Sequence, residues 1–458
     1  MTPTIVKKKQ YERPVIRSMN QGVMNKFGTR TEYTPMTHID GVAVSELIAK
    51  YGSPLFVLSE RTMRDNLRKA KRAFDNRYPK VQFAWSYKTN YLNAVCNTYH
   101  QEGSWAEVVS RFEYDKALAN GVPGNKIIFN GPDKTDEDLL LAITNDSPIH
   151  IDHLDELYRL TELATGRKKK PRVAIRVNMD TGTPPIWDRF GFNYENGQAW
   201  DAVNKILTMD RLDLVGLHAH IGTFMLAPSA YGVAAAKLCD LAIAIRNRYG
   251  RKLHYIDLGG GFASRNTLKG AHLPGPDSVP AVDEYAESIS TALMNAGFAN
   301  GEELPTLYLE TGRALVDDAG YLLGSVIASK RLSDGRRATI MDFGVNILFT
   351  SFWFDHKVSP AQEFSMHTED TVLYGPLCMN IDVVREHITL PALKAGDQVV
   401  VHDVGAYNIT QSMQFISLRP AIVMIDVKGD PHLVKKRETL ETLQRDEVMP
   451  DHLRGFKL

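Results

Sequence analysis

A lysine closes the apolar run Phe83-Ala84-Trp85-Ser86-Tyr87-Lys88-Thr89-Asn90. The run reads as a buried strand, with Lys88 where the strand ends. In β/α barrels, strand ends feeding loops carry the chemistry. Burial disfavours a cationic amine, so the pKa of Lys88 is expected to fall. A neutral amine there is a nucleophile able to form a Schiff base. Alone, the segment also fits an exposed loop lysine.

Three later segments bear on that choice. Leu217-His218-Ala219-His220-Ile221-Gly222-Thr223 supplies imidazoles able to stack on an aromatic ring, then a hydroxyl and backbone amides able to hold an anion. The two histidines also fit a hydrogen-bonded core pair. A metal site is a third option, because residues i and i+2 share one face of a strand. No matching set of ligands stands at the other strand ends, so no metal is expected. Ile256-Asp257-Leu258-Gly259-Gly260-Gly261-Phe262 follows a strand with three glycines, which let backbone N–H groups approach a phosphate. It lacks both the dinucleotide spacing and the lysine of a P-loop. Leu307-Tyr308-Leu309-Glu310-Thr311-Gly312-Arg313 sets a carboxylate at a strand end and a guanidinium three residues on. A carboxylate opposite a pyridine nitrogen keeps it protonated, and a protonated ring is an electron sink for a carbanion. An arginine would clamp a phosphate. A salt-bridged surface pair is the alternative.

These segments need a scaffold that brings them together, and the patterning predicts one. Strand-like runs at Gln82–Lys88, Trp105–Ser110, Lys126–Asn130, Ile149–Asp152, Arg172–Asn178, Leu214–Ile221, His254–Leu258 and Leu307–Glu310 alternate with helical patterns. Ser59 is placed to cap a helix with Met63, Leu67, Ala70 and Phe74 at helical spacing. Thr135 with Asp138 reads as a capping box, and Gly121 stops the helix of Glu113–Asn120. Eight βα units suit a closed parallel barrel, although a doubly wound open sheet uses the same units. Past roughly Leu315 the runs Val326–Lys330, Ala338–Asp342, Asp397–Val401 and Ala421–Asp426 are short, β-rich and divided by turn residues, predicting a second, mostly antiparallel domain.

Composition narrows the function classes. The chain has 458 residues, 43% hydrophobic and 24% charged, enough for two or more domains with a large core. Lys+Arg and Asp+Glu are both 54, so no global field favours nucleic acid. No apolar run is seen to approach the ~20 residues of a membrane span, and residues 1–37 read as an irregular basic arm. Cys96, Cys239 and Cys378 are too few and too scattered for a disulfide scaffold, which fits a reducing cytoplasm.

The order of these motifs, from about His38 to Val434, resembles the fold-type III pyridoxal-phosphate (PLP) enzymes, specifically the diaminopimelate decarboxylase branch. Further matches are Glu107-Val108-Val109-Ser110 with Glu113, Arg176-Val177-Asn178, Phe190-Gly191, Tyr374-Gly375-Pro376-Leu377-Cys378, Asp382 and Gly405-Ala406-Tyr407. The resemblance implies an alanine racemase-like PLP-binding (β/α)8 TIM barrel over 56–315 and a C-terminal β domain over 316–458, with 38–55 joining the latter. It implies release of carbon dioxide from an amino acid. Lys88 would carry the cofactor, His220 would stack on its ring and Glu310 would pair with the pyridine nitrogen. Gly259, Gly260, Gly261, Thr223, Arg313 and Tyr407 would surround the phosphate. Cys378 would act in catalysis, and both it and Asp382 would arrive from the other subunit of a head-to-tail homodimer. Arg176 would join the substrate site. No nucleic-acid or membrane partner is implied. An amino-acid racemase shares the barrel and the lysine and stays open.

The chain departs from the family pattern where the substrate is read. The family's Cys-Glu-Ser-Gly-Asp is Cys378-Met379-Asn380-Ile381-Asp382 here, and its Arg-Pro is Thr350-Ser351. A family tyrosine corresponds to Phe354. With Met379 and Thr350 in place of charged groups, a substrate other than meso-diaminopimelate is expected, such as a D-amino acid or a siderophore intermediate. An authentic diaminopimelate decarboxylase is the alternative.

Overall fold

The computed structural model describes residues 34–271, 273–298, 304–364 and 367–455. Most of the arm expected at 1–37 lies outside them; residues 34–37 are irregular.

The eight barrel strands run at Val81–Ser86, Trp105–Val108, Ile127–Phe129, Ile149–Ile151, Arg172–Asn178, Asp213–His218, Tyr255–Asp257 and Thr306–Leu309. All neighbouring pairs are parallel; the fifth pairs with the sixth and the eighth with the first, so the sheet closes. Closure excludes the open-sheet alternative. Each strand stops before its chemistry begins. Lys88 lies in the 3-10 turn Tyr87–Thr89, His220 two residues past the sixth strand and Glu310 one past the eighth. The residues that the sequence strung along strands therefore sit in loops at one mouth of the barrel.

Helices cover the outside. Ser59 accepts the Thr62 N–H to start Glu60–Asp75, which buries Met63, Leu67, Ala70 and Phe74. Such a cap contributes about 1 kcal/mol. Thr135 and Asp138 form the expected capping box of Asp136–Thr144. The helix Pro228–Tyr249 is long and apolar enough to cross a membrane, so the expectation that no run approached that length is corrected. It is a barrel helix, burying Tyr231, Ala234, Ala235, Leu238 and Ile245.

The second sheet is mostly antiparallel. Gly320–Arg331 is its long central strand, paired with Arg337–Met341, Gln398–Val401 and Leu55–Ser59. Leu55–Ser59 also pairs in parallel with Ala421–Ile425. The N-terminal segment thus belongs to this sheet through Ser59, slightly beyond the boundary expected at residue 55. Patterning missed Thr368–Tyr374 and Val383–Pro391, whose half-exposed faces carry charged residues.

Candidate active site

Lys88 is held by one buried carboxylate. Its Nζ lies 2.6 and 2.8 Å from the two oxygens of Glu107, at the end of the second strand. Burial alone would lower the lysine pKa, as the sequence reading expected. Glu107, Tyr407 and Glu310 outweigh it and raise the pKa above its ordinary value. That expectation is corrected: paired with Glu107, Lys88 is a cation. Glu107→Gln should therefore lower the Lys88 pKa, because burial would then meet less opposition. Titrating Lys88 labelling by an amine-directed reagent in cofactor-free protein measures this. An unchanged titration would mean that the pair does not control the amine.

Asn130 links the two carboxylates of the barrel mouth, donating 3.0 Å to Glu107 and 2.7 Å to Glu310. His218 lies 3.4 Å and His150 3.9 Å from the other faces of Glu310. His150, from the fourth strand, escaped the sequence reading. Its ligand atom and those of His218 and Glu310 lie within 4.8 Å of one another. Burial drives both imidazoles well below the ordinary range, so they are neutral. Asp257 also packs here, its carboxyl pushed well up by burial and by Glu310.

His220 sits at the mouth with the Trp187 ring 5.5 Å away. Its Nδ1 accepts the Gly260 N–H at 3.2 Å, fixing the ring beside the glycine turn. Burial drives its pKa far down. The turn needs its glycines. Gly259 and Gly261 have φ of 64° and 87°, and a Cβ on Gly261 would stand 2.1 Å from the Gly222 carbonyl.

Lys88, His220, Thr223, Gly261, Glu310, Arg313 and Tyr407 converge on one cavity of about 490 Å³, with Ser86, Thr89, Gly312 and Gln411. The remaining wall is apolar: Trp187, Phe224, Leu268, Trp353 and Phe354. Arg313 is 8% exposed, and its Nε and Nη1 have no hydrogen-bond partner. It lies under the rings of Tyr407, Phe354 and Phe224 at 4.7, 5.2 and 5.9 Å. Its ion-pair neighbour Asp317 lies 4.0 Å away, beyond hydrogen-bond reach, so these buried donors stay available to an anion.

Five expected catalytic and substrate residues stand elsewhere in the single chain. Arg176 is buried beside Asp152 at 3.5 Å and over the Phe190 ring at 4.4 Å. Thr350 is buried in the β domain, bonded to Asn408 and His356. The Asp382 carboxylate is consumed within its own chain by the N–H groups of Val345 and Leu377. Cys378 is exposed and Met379 half-buried on the loop that Asp382 braces. None of the five is among the residues lining the cavity of a single chain.

Residues 64–317 match the family described as pyridoxal-dependent decarboxylase, pyridoxal binding domain. The chain belongs to the pyridoxal-dependent decarboxylases. The match extends beyond that domain. Diaminopimelate decarboxylase of Bacillus subtilis is 30% identical over 421 residues, 88% of this chain and 93% of the relative. That of Methanocaldococcus jannaschii is 29% identical over 431 residues, 91% and 95% of the two chains. A crystal structure of the M. jannaschii enzyme superposes with a TM-score of 0.83 over 92% of this chain and 98% of the other. The decarboxylase is thus a PLP-dependent carboxy-lyase of the diaminopimelate decarboxylase family. The fit of its own residues to the cofactor is good. Gly261 leaves no room for a side chain, Thr223 and Tyr407 offer hydroxyls, and Lys88 reaches the same cavity as Glu310.

Proposed function

We propose that this decarboxylase acts on an α-amino acid with an anionic far end, meso-diaminopimelate being the first candidate. The observation that carries the reading is the unsatisfied guanidinium of Arg313 in the cavity wall. The sequence resemblance assigned Arg313 to the cofactor's phosphate. Thr223, Gly261, Gly312 and Tyr407 already offer hydroxyls and backbone there, whereas Arg313 packs on Phe354, at a position where the family reads substrate. The end-to-end relatives named diaminopimelate decarboxylase also support this reading over the different substrate expected from sequence.

In this proposal Lys88 carries the cofactor, Glu310 keeps its pyridine nitrogen protonated and His220 lies against its ring. The cofactor supplies an electron sink for the carbanion left when carbon dioxide departs. Once carbon dioxide has left, Cα needs one proton, and Lys88 is one of the two groups placed to return it. Asn130, His150 and His218 hold Glu310 in place. Cys378, exposed on one protomer, would reach the other site of a head-to-tail homodimer as the alternative donor of that proton. The unpaired cysteines support a cytoplasmic setting.

One observation favours a second reading, an amino acid with an apolar far end. The cavity wall around Arg313 is aromatic, and Thr350 is turned away from it. Carbon dioxide release from meso-diaminopimelate, L- and D-lysine, L- and D-ornithine and arginine separates the two. Loss of one charged contact costs about 2–5 kcal/mol, so meso-diaminopimelate should exceed either lysine at least tenfold in kcat/KM. Equal or better turnover of monocarboxylic substrates would defeat the anionic reading.

A further inference from the structure

Tyr407 lines the cavity with φ at 65°, a conformation that a bulky residue adopts only when its surroundings force it. The forcing comes largely from one residue outside the cavity. Asp317 is 1% exposed and follows the Glu310–Arg313 segment. Its Oδ1 accepts the Ala406 N–H at 3.3 Å and its backbone carbonyl accepts the Gly405 N–H at 3.1 Å. Gly405 can pass so close only without a side chain, since a Cβ would meet the Val316 carbonyl at 1.9 Å. The other oxygen, Oδ2, accepts from the Ser264 hydroxyl and from Asn266 Nδ2 at 2.8 Å. Both donors lie just past the glycine turn. Oδ2 is also 4.0 Å from Arg313 Nη1.

One carboxylate therefore ties together the three segments that build the anion-binding end of the cavity: the glycine turn, the stretch carrying Arg313 and the turn carrying Tyr407. The Tyr407 N–H then bonds the Thr89 carbonyl, next to Lys88. We propose that Asp317 is the positioning residue that sets Tyr407 and Arg313 for binding the cofactor's phosphate and the substrate. Burial pushes its carboxyl up to about 6, opposed by Arg313, Ser264, Asn266 and Ala406. It is thus ionised at neutral pH and accepts from all its donors as the charged form, which strengthens each bond. An alanine or glycine there would strip the acceptor from the Ala406 N–H and the Ser264 hydroxyl, take one of the two acceptors of Asn266, and leave the Tyr407 turn free to relax.

The inference rests on the reading of this cavity as the PLP site, and its test uses cofactor affinity so that it is independent of the true substrate. PLP dissociation constants are measured by absorbance for wild type, Asp317→Asn, Tyr407→Phe and the double variant. Melting temperatures of the cofactor-free proteins are measured alongside. Asp317→Asn should weaken PLP about tenfold, the scale of one lost charge-assisted bond. Tyr407→Phe should weaken wild type but add little in the Asp317→Asn background, since the hydroxyl is already misplaced. Additive losses, or a lower melting temperature with unchanged affinity, would reduce Asp317 to a structural residue and overturn the proposal. If Asp317→Asn does not fold, Ser264→Ala removes one donor and should give a smaller shift of the same sign; unchanged affinity there overturns it equally. Failure of wild type to bind PLP would instead overturn the reading of the cavity.

Discussion

Lys88→Ala should lose covalently retained PLP and at least about a thousandfold in kcat, as expected when a group that acts with its partners as a unit is removed. The amine is the only lysine among the residues lining the cavity. Two measurements check the result. Borohydride treatment followed by mass analysis should add the cofactor to Lys88 in wild type and nowhere in the variant. Carbon dioxide release should fall in parallel. The variant leaves buried Glu107 without its cation, and because the Lys88 side chain is 38% exposed the cost is smaller than that of breaking a fully buried pair. Its melting temperature should drop, and Lys88→Ala with Glu107→Gln should recover part of that drop. A Lys88→Ala protein that still fixes PLP, or that turns over normally, would remove the lysine from the mechanism.

The barrel was legible because its strands are apolar runs separated by capped helices, and both signals are local. Ser59 and Thr135 cap as their side chains dictate, whatever the rest of the chain does. The site was legible where chemistry and sequence order coincide, at Lys88, His220, Gly261, Glu310 and Arg313. It was not legible where function depends on pairs brought together by barrel closure. Glu107 stands 19 residues from Lys88, and nothing local says that it cancels the effect of burial on the amine. His150 is one polar residue in a short buried strand, a pattern that usually means a satisfied core histidine. Asp317 is 89 residues from the Ala406 amide that it holds.

The substrate residues were less legible for a related reason. Thr350 and Asp382 were chosen by position in a motif, which fixes the backbone but not where a side chain spends its bonds. Thr350 donates 2.9 Å to Asn408, and its amide bonds the same oxygen at 3.0 Å. Asp382 fills the space beside Gly344 and Gly375 and takes two backbone N–H groups. Its role within one chain is to shape the loop that presents Cys378 and Met379. Motif position located the loop but did not show that Asp382 spends its carboxylate bracing it.

Arg313→Ala should separate substrate reading from cofactor holding. The guanidinium is buried among three rings, has free donors, and faces a cavity whose other cation, Lys88, is already paired. Removing it strips the partner from an anion drawn into a poorly hydrated wall, where such contacts are worth about 2–5 kcal/mol. For a dicarboxylic amino acid, kcat/KM should fall roughly 10²- to 10³-fold, mostly through KM, because the far carboxylate is held equally in ground and transition states. PLP affinity should change less than tenfold if Thr223, Tyr407 and the glycine turn carry the phosphate. Lysine, which lacks the far carboxylate, should lose little, so the variant should narrow the preference between the two substrates. Arg313→Lys should recover only part of the loss, since an ammonium lacks the planar fork that matches a carboxylate. The assay is carbon dioxide release with meso-diaminopimelate and both lysine enantiomers, beside a cofactor titration. A large rise in the PLP dissociation constant with KM unchanged would return Arg313 to the phosphate. The far end of the substrate would then have no charged reader among the lining residues, and the apolar reading would follow.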